Sequence, residues 1–443
     1  MAEPGGRSDS TYGRLFRNPS FLRVFSAGLG SVAGSSITGV CLVWIVYTDT
    51  RSALDVALLG VSWLAAGILF SVLGGAWADR YDRRRLMVLA DYARAAALGG
   101  IVVLLDLDRF ELLPILAAYF VVGAFTTVFN PAEQAIVPSI VPAELVADAN
   151  GLVRSSRSAF QFVGASVAGL LIVTLGPVVG VGANAVTFLL SGSILLGMRA
   201  GAVPARPGVA AAAPSYFREV REGFRWLARA TGFLQLTISA TFFNFCYALV
   251  GTFLVIFATA VLHGSALVYA LLLAVEVAGS AVGALLVGRT GAVRWAGRAW
   301  VVPYGAASAA VVLALVEWPV VPVALAALFA LGLLAGFAGT AWLTAAQLLV
   351  PTEVQGRYFG IDSLGSIAIL PAAQIGGAFL IVAYGVRETY LLAGILWLIA
   401  GLGFVLPRAL WNLGYRPSPA DPTPRSDADA SGTTGSPEGT RAA

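Results

Sequence analysis

Twelve long apolar runs constrain this chain more than any other feature. They lie near 22–46, 55–78, 86–105, 112–136, 152–173 and 181–198, then, past a wider polar break, at 233–262, 266–288, 299–316, 321–348, 359–384 and 389–407. About 20 apolar residues carry a helix across the hydrocarbon core of a bilayer. Lipid offers backbone N–H and C=O groups no partners, so only helices and closed β-barrels span it. Barrel strands alternate in polarity over roughly 10 residues, and these runs do not alternate. The expected fold class is therefore an all-α membrane protein with twelve transmembrane helices in two six-helix halves. Only 12% of the 443 residues are charged, about half the share of a soluble domain, and the mean hydropathy is +0.82. A soluble enzyme, a nucleic-acid-binding protein, a coiled coil, collagen and a disulfide scaffold are excluded.

The runs divide the chain into a cytoplasmic N-terminal segment (1–20), a first bundle (21–199), a cytoplasmic linker (200–231), a second bundle (232–407) and a tail (408–443). Residues 1–20 are polar and carry no cleavable apolar leader, so the first run serves as its own insertion signal. In the linker, Phe217, Val220, Phe224 and Leu227 recur at helical spacing beside Arg218, Arg221, Arg225 and Arg229. That pattern predicts an amphipathic helix on an anionic lipid surface. The tail is rich in Pro, Ser, Asp, Gly and Thr and is expected to be disordered.

The net charge is +4, and all 28 basic residues are arginine. This reads as the codon bias of a GC-rich prokaryotic genome and not as nucleic-acid binding, which places the chain in a prokaryotic plasma (inner) membrane. Arg51, Arg109 and Arg387 fall in the loops of one side, and the other arginines fall at or near the opposite side. By the positive-inside rule the arginine-rich side is cytoplasmic, with both termini on it. His263 is the only histidine, which excludes a histidine-based metal site; no metal or cofactor is expected. Cys41 and Cys246 lie inside apolar runs and read as small core residues.

The halves echo each other. Val141-Pro-Ala-Glu-Leu145 follows the fourth run, and Val350-Pro-Thr-Glu-Val354 follows the tenth, 209 residues later; Gly151 and Gly360 stand at the same offset. Phe21-Leu22 and Phe233-Leu234 precede the first and seventh runs. Matched halves are the mark of a duplicated transporter, whose site is expected between them near the bilayer midplane.

Between the second and third runs the sequence reads Gly74-Gly-Ala-Trp-Ala-Asp-Arg-Tyr-Asp-Arg-Arg-Arg85. Gly75 allows close helix approach, Asp79 can sit at the N-terminal dipole of a neighbouring helix, and the arginines can hold carboxylates across the interface between the halves. The plainer reading is a topology anchor alone. This stretch resembles the loop motif of the major facilitator superfamily. The resemblance implies a conformational latch made of Gly75, Asp79, Arg80, Asp82, Arg83 and Arg84, alternating access, a small-molecule substrate and a monomer.

Val46-Tyr-Thr-Asp-Thr-Arg-Ser52, Asn130-Pro-Ala-Glu-Gln-Ala-Ile-Val-Pro138, Ala149-Asn-Gly151 and Arg218-Glu-Val-Arg-Glu-Gly-Phe-Arg225 look like the macrolide-efflux and enterobactin-exporter branch, over about 14–407. That resemblance implies export of an amphipathic drug, antibiotic or siderophore, with proton entry as the candidate driving force. The chain departs from the pattern in places. The second-half copy of the loop, Gly288-Arg-Thr-Gly-Ala-Val293, lacks the Asp-Arg pair, so the latch is one-sided. The fifth run keeps only the outer glycines of the antiporter motif, Gly164 and Gly169, and Ser35 stands near where the branch has an acidic residue.

Charges inside a membrane are functional candidates by default. Glu276, about ten residues into the eighth run, is the acidic residue expected near mid-membrane. Gly279 and Gly283 share its helical face and mark the packed side, so Glu276 points into the bundle, as a candidate proton carrier or as a packed, neutralised carboxyl. The fourth run carries Thr127, Asn130, Glu133 and Gln134 on one face, and the fifth carries Asn150, Arg154, Arg157 and Gln161. Glu133 can pair with Arg154 or Arg157, as a gate or as a structural tie. Asn244 and Gln347 can line a cavity or join helices, and Phe242, Phe243, Phe245 and Tyr247 can line an apolar site or pack.

The leading function is secondary transport. Alternatives are a lipid or lysolipid flippase and a transport-dead receptor or scaffold on the same fold. No phosphate-binding loop that would couple ATP is present, and no catalytic constellation appears in the runs.

Overall fold

A computed structural model describes residues 11–198, 225, 227–290 and 301–403. Among the described residues each of the twelve apolar runs falls on helix. A short α1 (Thr11–Phe16) precedes α2 (Pro19–Thr50), α3 (Ala53–Arg80), α4 (Arg83–Asp106), α5 (Leu112–Ile140), α6 (Val146–Thr174) and α7 (Pro177–Leu196). The second half has α8 (Thr231–Thr252), α9 (Ala266–Thr290), α10 (Val301–Glu317), α11 (Val321–Leu349), α12 (Thr352–Ala368), α13 (Leu370–Tyr384) and α14 (Val386–Gly403). Among the described residues ten helical stretches are long and apolar enough to cross a membrane, with α12 and α13 forming one such stretch. The chain is a multi-pass membrane protein.

Local sequence sets the helix ends. Asn18 caps α2, its Oδ1 accepting from the N–H groups of Ser20 (3.0 Å) and Phe21 (3.1 Å), and Pro19 occupies the first turn, where its missing N–H costs nothing. Asp82 caps α4, accepting from Arg85 N at 3.0 Å. The repeated loop motif has the same backbone in both halves: Val141 and Val350 end their helices in extended conformations, followed by Pro142 (φ −56°, ψ 147°) and Pro351 (φ −55°, ψ 137°).

Two runs are less continuous than expected. The 359–384 run breaks at Ile369, because Pro371 in the next turn cannot donate to the preceding one. The 233–262 run leaves regular helix at Phe253 and finishes in a π-helical turn, Phe257–Val261. Most of the linker and the whole tail lie outside the described residues. Leu227, on the apolar face of the linker helix, is buried against Ala346, Val350, Tyr358 and Ile361.

In the first half α2 packs on α6 and α7, and α4 on α5 and α7; in the second, α9 packs on α11 and α10 on α14. The α9–α11 contact is made backbone to backbone. A Cβ on Gly279 or Gly283 would strike the carbonyls of Phe329 or Leu333, and one on Gly332 or Gly336 would strike those of Glu276 or Ser280. The halves meet along α6–α9, where Gly169 abuts Ala270, and along α3–α13, where Gly60 abuts Gln374.

The apolar core is distributed unevenly. At the end where α2 finishes and α9 begins, one cluster joins both halves, from Val40, Ile45 and Ile172 to Tyr269, Ala270 and Ala378. Trp44 stacks on Tyr269 across that seam, centroids 6.4 Å apart. At the opposite end the halves keep separate cores, one around Phe21, Phe129 and Leu145 and another around Val350, Tyr358 and Ile361.

Candidate functional site

Three adjoining chambers follow one another from the first half to the second: the first is lined by the first half, the third by the second half, and the middle one by both. The first, about 440 Å³, is lined from α2 by Gly28, Ser31 and Ser35, from α4 by Arg94, from α5 by Asn130, and from α6 by Arg154, Arg157, Ser158 and Gln161. Ser158 and Gln161 also line the second, about 380 Å³, facing Tyr247, Glu276 and Ser280. Tyr247 and Ser280 in turn line the third, about 450 Å³, with Phe243, Asn244, Tyr304, Trp342 and Asp362.

Each half contributes a different chemistry. Beside the first chamber Glu133, 4% exposed, is paired with Arg157, which lines it. Gly28 makes room for that pair, since a Cβ there would overlap the Glu133 carboxylate. Asn130 and Gln161 line the chamber, but Thr127 turns away and bonds the Gly123 carbonyl at 3.0 Å, while Gln134 and Asn150 are exposed outside it. The predicted polar stripes thus split, because chamber and neighbouring helix occupy different sides of one turn. Arg154 lines the chamber without an ion-pair partner among the described residues.

A buried charge pair also stands behind this chamber. Asp91 and Arg94, one turn apart on α4, are 0% and 2% exposed and bonded to each other. Ser191 donates to Asp91 at 2.6 Å. The guanidinium lies between the Phe129 and Phe188 rings, 4.4 and 4.2 Å from their centroids. Arg94 therefore departs from the expected arginine placement: it sits midway along α4, neutralised and sandwiched, not near a helix end. The Asp-x-x-Arg spacing was the signal, since residues three apart share a helix face.

In the second chamber Tyr247 donates to Glu276. The glycines that follow Glu276 on its helix pack on α11, which turns the carboxyl toward α8 and the cavity. In the third, Asp362 is 5% exposed, one more acidic residue inside an apolar run beside the expected Glu276. Asn244 lines this chamber; Gln347 is exposed at the end of α11, outside it. Of the aromatic group on α8, Phe243 and Tyr247 line the chamber.

The surroundings of Gly75 and the side chains of Asp79 and Arg80 lie outside what is described. Arg83 donates to Ala135 O at 2.8 Å, and Arg84 donates to Leu195 O at 2.8 Å and to Leu196 O. These bonds satisfy carbonyls of α5 and α7 within the first half, with Asp82 as the cap of α4. The fifth-run glycines each make a close approach: Gly164 to the Ala33 carbonyl on α2, and Gly169 to α9 of the other half.

Comparison with known proteins agrees with this architecture. Over 406 residues the chain is 23% identical to a protein of Bacillus subtilis (strain 168) described as an uncharacterized MFS-type transporter, YvqJ, spanning 90% of this chain and 93% of that one. It is 24% identical over 238 residues to macrolide efflux protein A of Streptococcus pyogenes, covering 51% of this chain and 56% of that protein. The crystal structure of the nucleoside transporter NupG shares the fold with a TM-score of 0.74 at 9% identity, over 88% of this chain and 99% of that one. The family model described as Major Facilitator Superfamily matches residues 24–372. With two helical halves about a shared cavity and a family match across most of its length, the chain belongs to the major facilitator superfamily of membrane transporters.

Proposed function

We propose that the protein exports amphipathic small molecules by alternating access. The observation that carries this reading is the row of three chambers reaching from one half to the other, beside an apolar core common to both halves and two cores that stay separate. Rocking the halves about α6–α9 and α3–α13 would part the common core and bring the separate ones together, exposing the same chambers to the other side. With the arginine-rich side taken as cytoplasmic, the chambers face the cytoplasm in this state, where an exporter loads. Rings and neutral polar groups in the third chamber suit an apolar body with a polar end, and similarity to a macrolide efflux protein favours export over uptake.

Glu276 and Glu133 are the candidates for proton coupling. Glu276 lies in the passage between the first and third chambers, and Glu133 is held by Arg157. The test is accumulation of fluorescent amphiphilic dyes and a fluorescent macrolide in cells expressing the protein. Lower accumulation than in cells with an empty vector, abolished by a proton-gradient uncoupler, is expected. Equal accumulation across the panel would refute export.

A further inference from the structure

We propose that the first chamber is a subsite for the acidic group of an organic anion, a sulfonate, carboxylate or phosphate on an apolar body, with Arg154 as its counter-ion. The inference rests on the export reading and names the charge of a substrate class that the cavity selects. Three arginines line this chamber, Arg94, Arg154 and Arg157, and among the described residues no acidic side chain does. Two of the three are balanced from behind the wall, Arg94 by Asp91 and Arg157 by Glu133. Arg154 has no such match: among the described residues no carboxylate pairs with it and no group accepts from its guanidinium. The wall therefore carries one positive charge more than the groups around it neutralise.

A second observation points the same way. Ser31 lines the chamber from α2 and is 5% exposed, yet its Oγ has no hydrogen-bond partner. A buried hydroxyl is costly to leave unpaired, and an anion oxygen in the chamber would accept its hydrogen bond. Asn130 and Gln161 line the same chamber and offer further N–H donors. A guanidinium presents its N–H groups as a fork that matches the paired oxygens of a carboxylate, sulfonate or phosphate. Trp63 and Phe129 stand in the same wall and give an apolar body its seat. At about 440 Å³ the chamber falls within the ~300–1,000 Å³ of small-molecule sites. Carboxyl groups line the other two chambers, Glu276 the second and Asp362 the third, so an acidic group is drawn to the first alone.

The probe is 2-naphthalenesulfonate, a permanent anion, with 2-naphthalenesulfonamide as its neutral counterpart of nearly the same shape. Equilibrium binding to the purified full-length protein in detergent requires no transport. Saturable binding of the anion is expected, weakened about tenfold or more by Arg154→Gln with neutral-probe binding retained. Arg154→Lys keeps the charge and recovers part of the loss, and Ser31→Ala weakens the anion more than the neutral probe. Failure of the wild type to bind the anion, equal anion affinity in Arg154→Gln, or equal loss of both probes overturns the proposal. Equal affinity in that variant is the outcome expected if Arg154 served only to set the topology of α6 by its charge. Taurocholate, a sulfonate on a larger apolar body, should displace the probe. Displacement by lysophosphatidylglycerol but not by taurocholate overturns the assignment to an exported anion and makes the chamber a lipid-headgroup site. The two readings separate cleanly. Efflux of neutral dyes without Arg154-dependent anion binding sinks the subsite and leaves export standing, while Arg154-dependent binding without any efflux does the reverse.

Discussion

Replacing Arg94 by Met tests the energetics of the charge pair buried in α4. The substitution keeps a long apolar stem between the Phe129 and Phe188 rings but removes the positive charge. Asp91, 0% exposed, is then left with Ser191 as its partner. Orphaning one member of a buried pair costs about 3–5 kcal/mol. Asp91→Asn is expected to cost about 1–2 kcal/mol less, because Arg94 retains both ring faces, 4.4 and 4.2 Å away, and its bond to Ala90 O at 3.3 Å. In the double variant Asp91→Asn/Arg94→Met neither charge remains, and replacing a buried pair with uncharged groups of similar volume is close to neutral. The double variant should therefore lie within about 1–2 kcal/mol of wild type and above both singles. The assay is thermal unfolding of the purified protein in detergent, arranged as a double-mutant cycle. Arg94→Met should lower the apparent Tm by on the order of 5 °C, with most of the loss recovered in the double variant. A double variant no more stable than Arg94→Met alone would refute the argument, and the pair would then act only as packing volume.

Glu276→Gln should abolish proton-driven export while substrate still binds, measured as the response of proteoliposomes to an imposed proton gradient; an unchanged response moves the proton to Glu133. Asp79→Asn should cripple transport with the protein inserted and abundant, checked by dye efflux against membrane yield, and normal efflux would reduce the loop to a topology signal. Gly279→Leu drives a side chain into the Phe329 carbonyl and should cost at least about 1–3 kcal/mol, read as lost monodisperse yield on size-exclusion chromatography. Gly99→Ala has nothing within 4 Å and should be neutral or stabilising in the same measurement; equal damage by both would show that the α9–α11 contact is not limited by space.

Much of the fold was legible because its determinants are local. Lipid forces backbone bonding within each segment, so apolar run length alone announced the helices. The repeated Val-Pro-x-Glu motif announced two equivalent halves, and the glycines after Glu276 announced which face packs. Legibility failed where a local signal was outvoted by an average. Arg94 was absorbed into a count of arginines by side, although Asp91 three residues earlier marked a buried pair. Asp362 stands in an apolar run just as Glu276 does, but it lies near the start of the 359–384 run, where a charge reads as a helix end in the headgroup region. The break at Ile369 was hidden because Pro371 sits inside an otherwise unbroken apolar stretch.

By itself the sequence determined that the chain crosses a membrane as helices, that it does so as two related halves, and which residues could carry charge inside. Tertiary structure alone decided which of those charges meet: Glu133 with Arg157 and not Arg154, Glu276 with Tyr247, Asp362 with Thr237 at the wall of an aromatic chamber. It also decided that the halves share a core at one end and part at the other. The reason is physical. Helix formation and the facing of each helix are settled by neighbours a few residues away, whereas the seating of one half on the other depends on contacts between segments hundreds of residues apart. Two seatings of the same halves can differ by only a few kcal/mol, and nothing in the order of the residues distinguishes them.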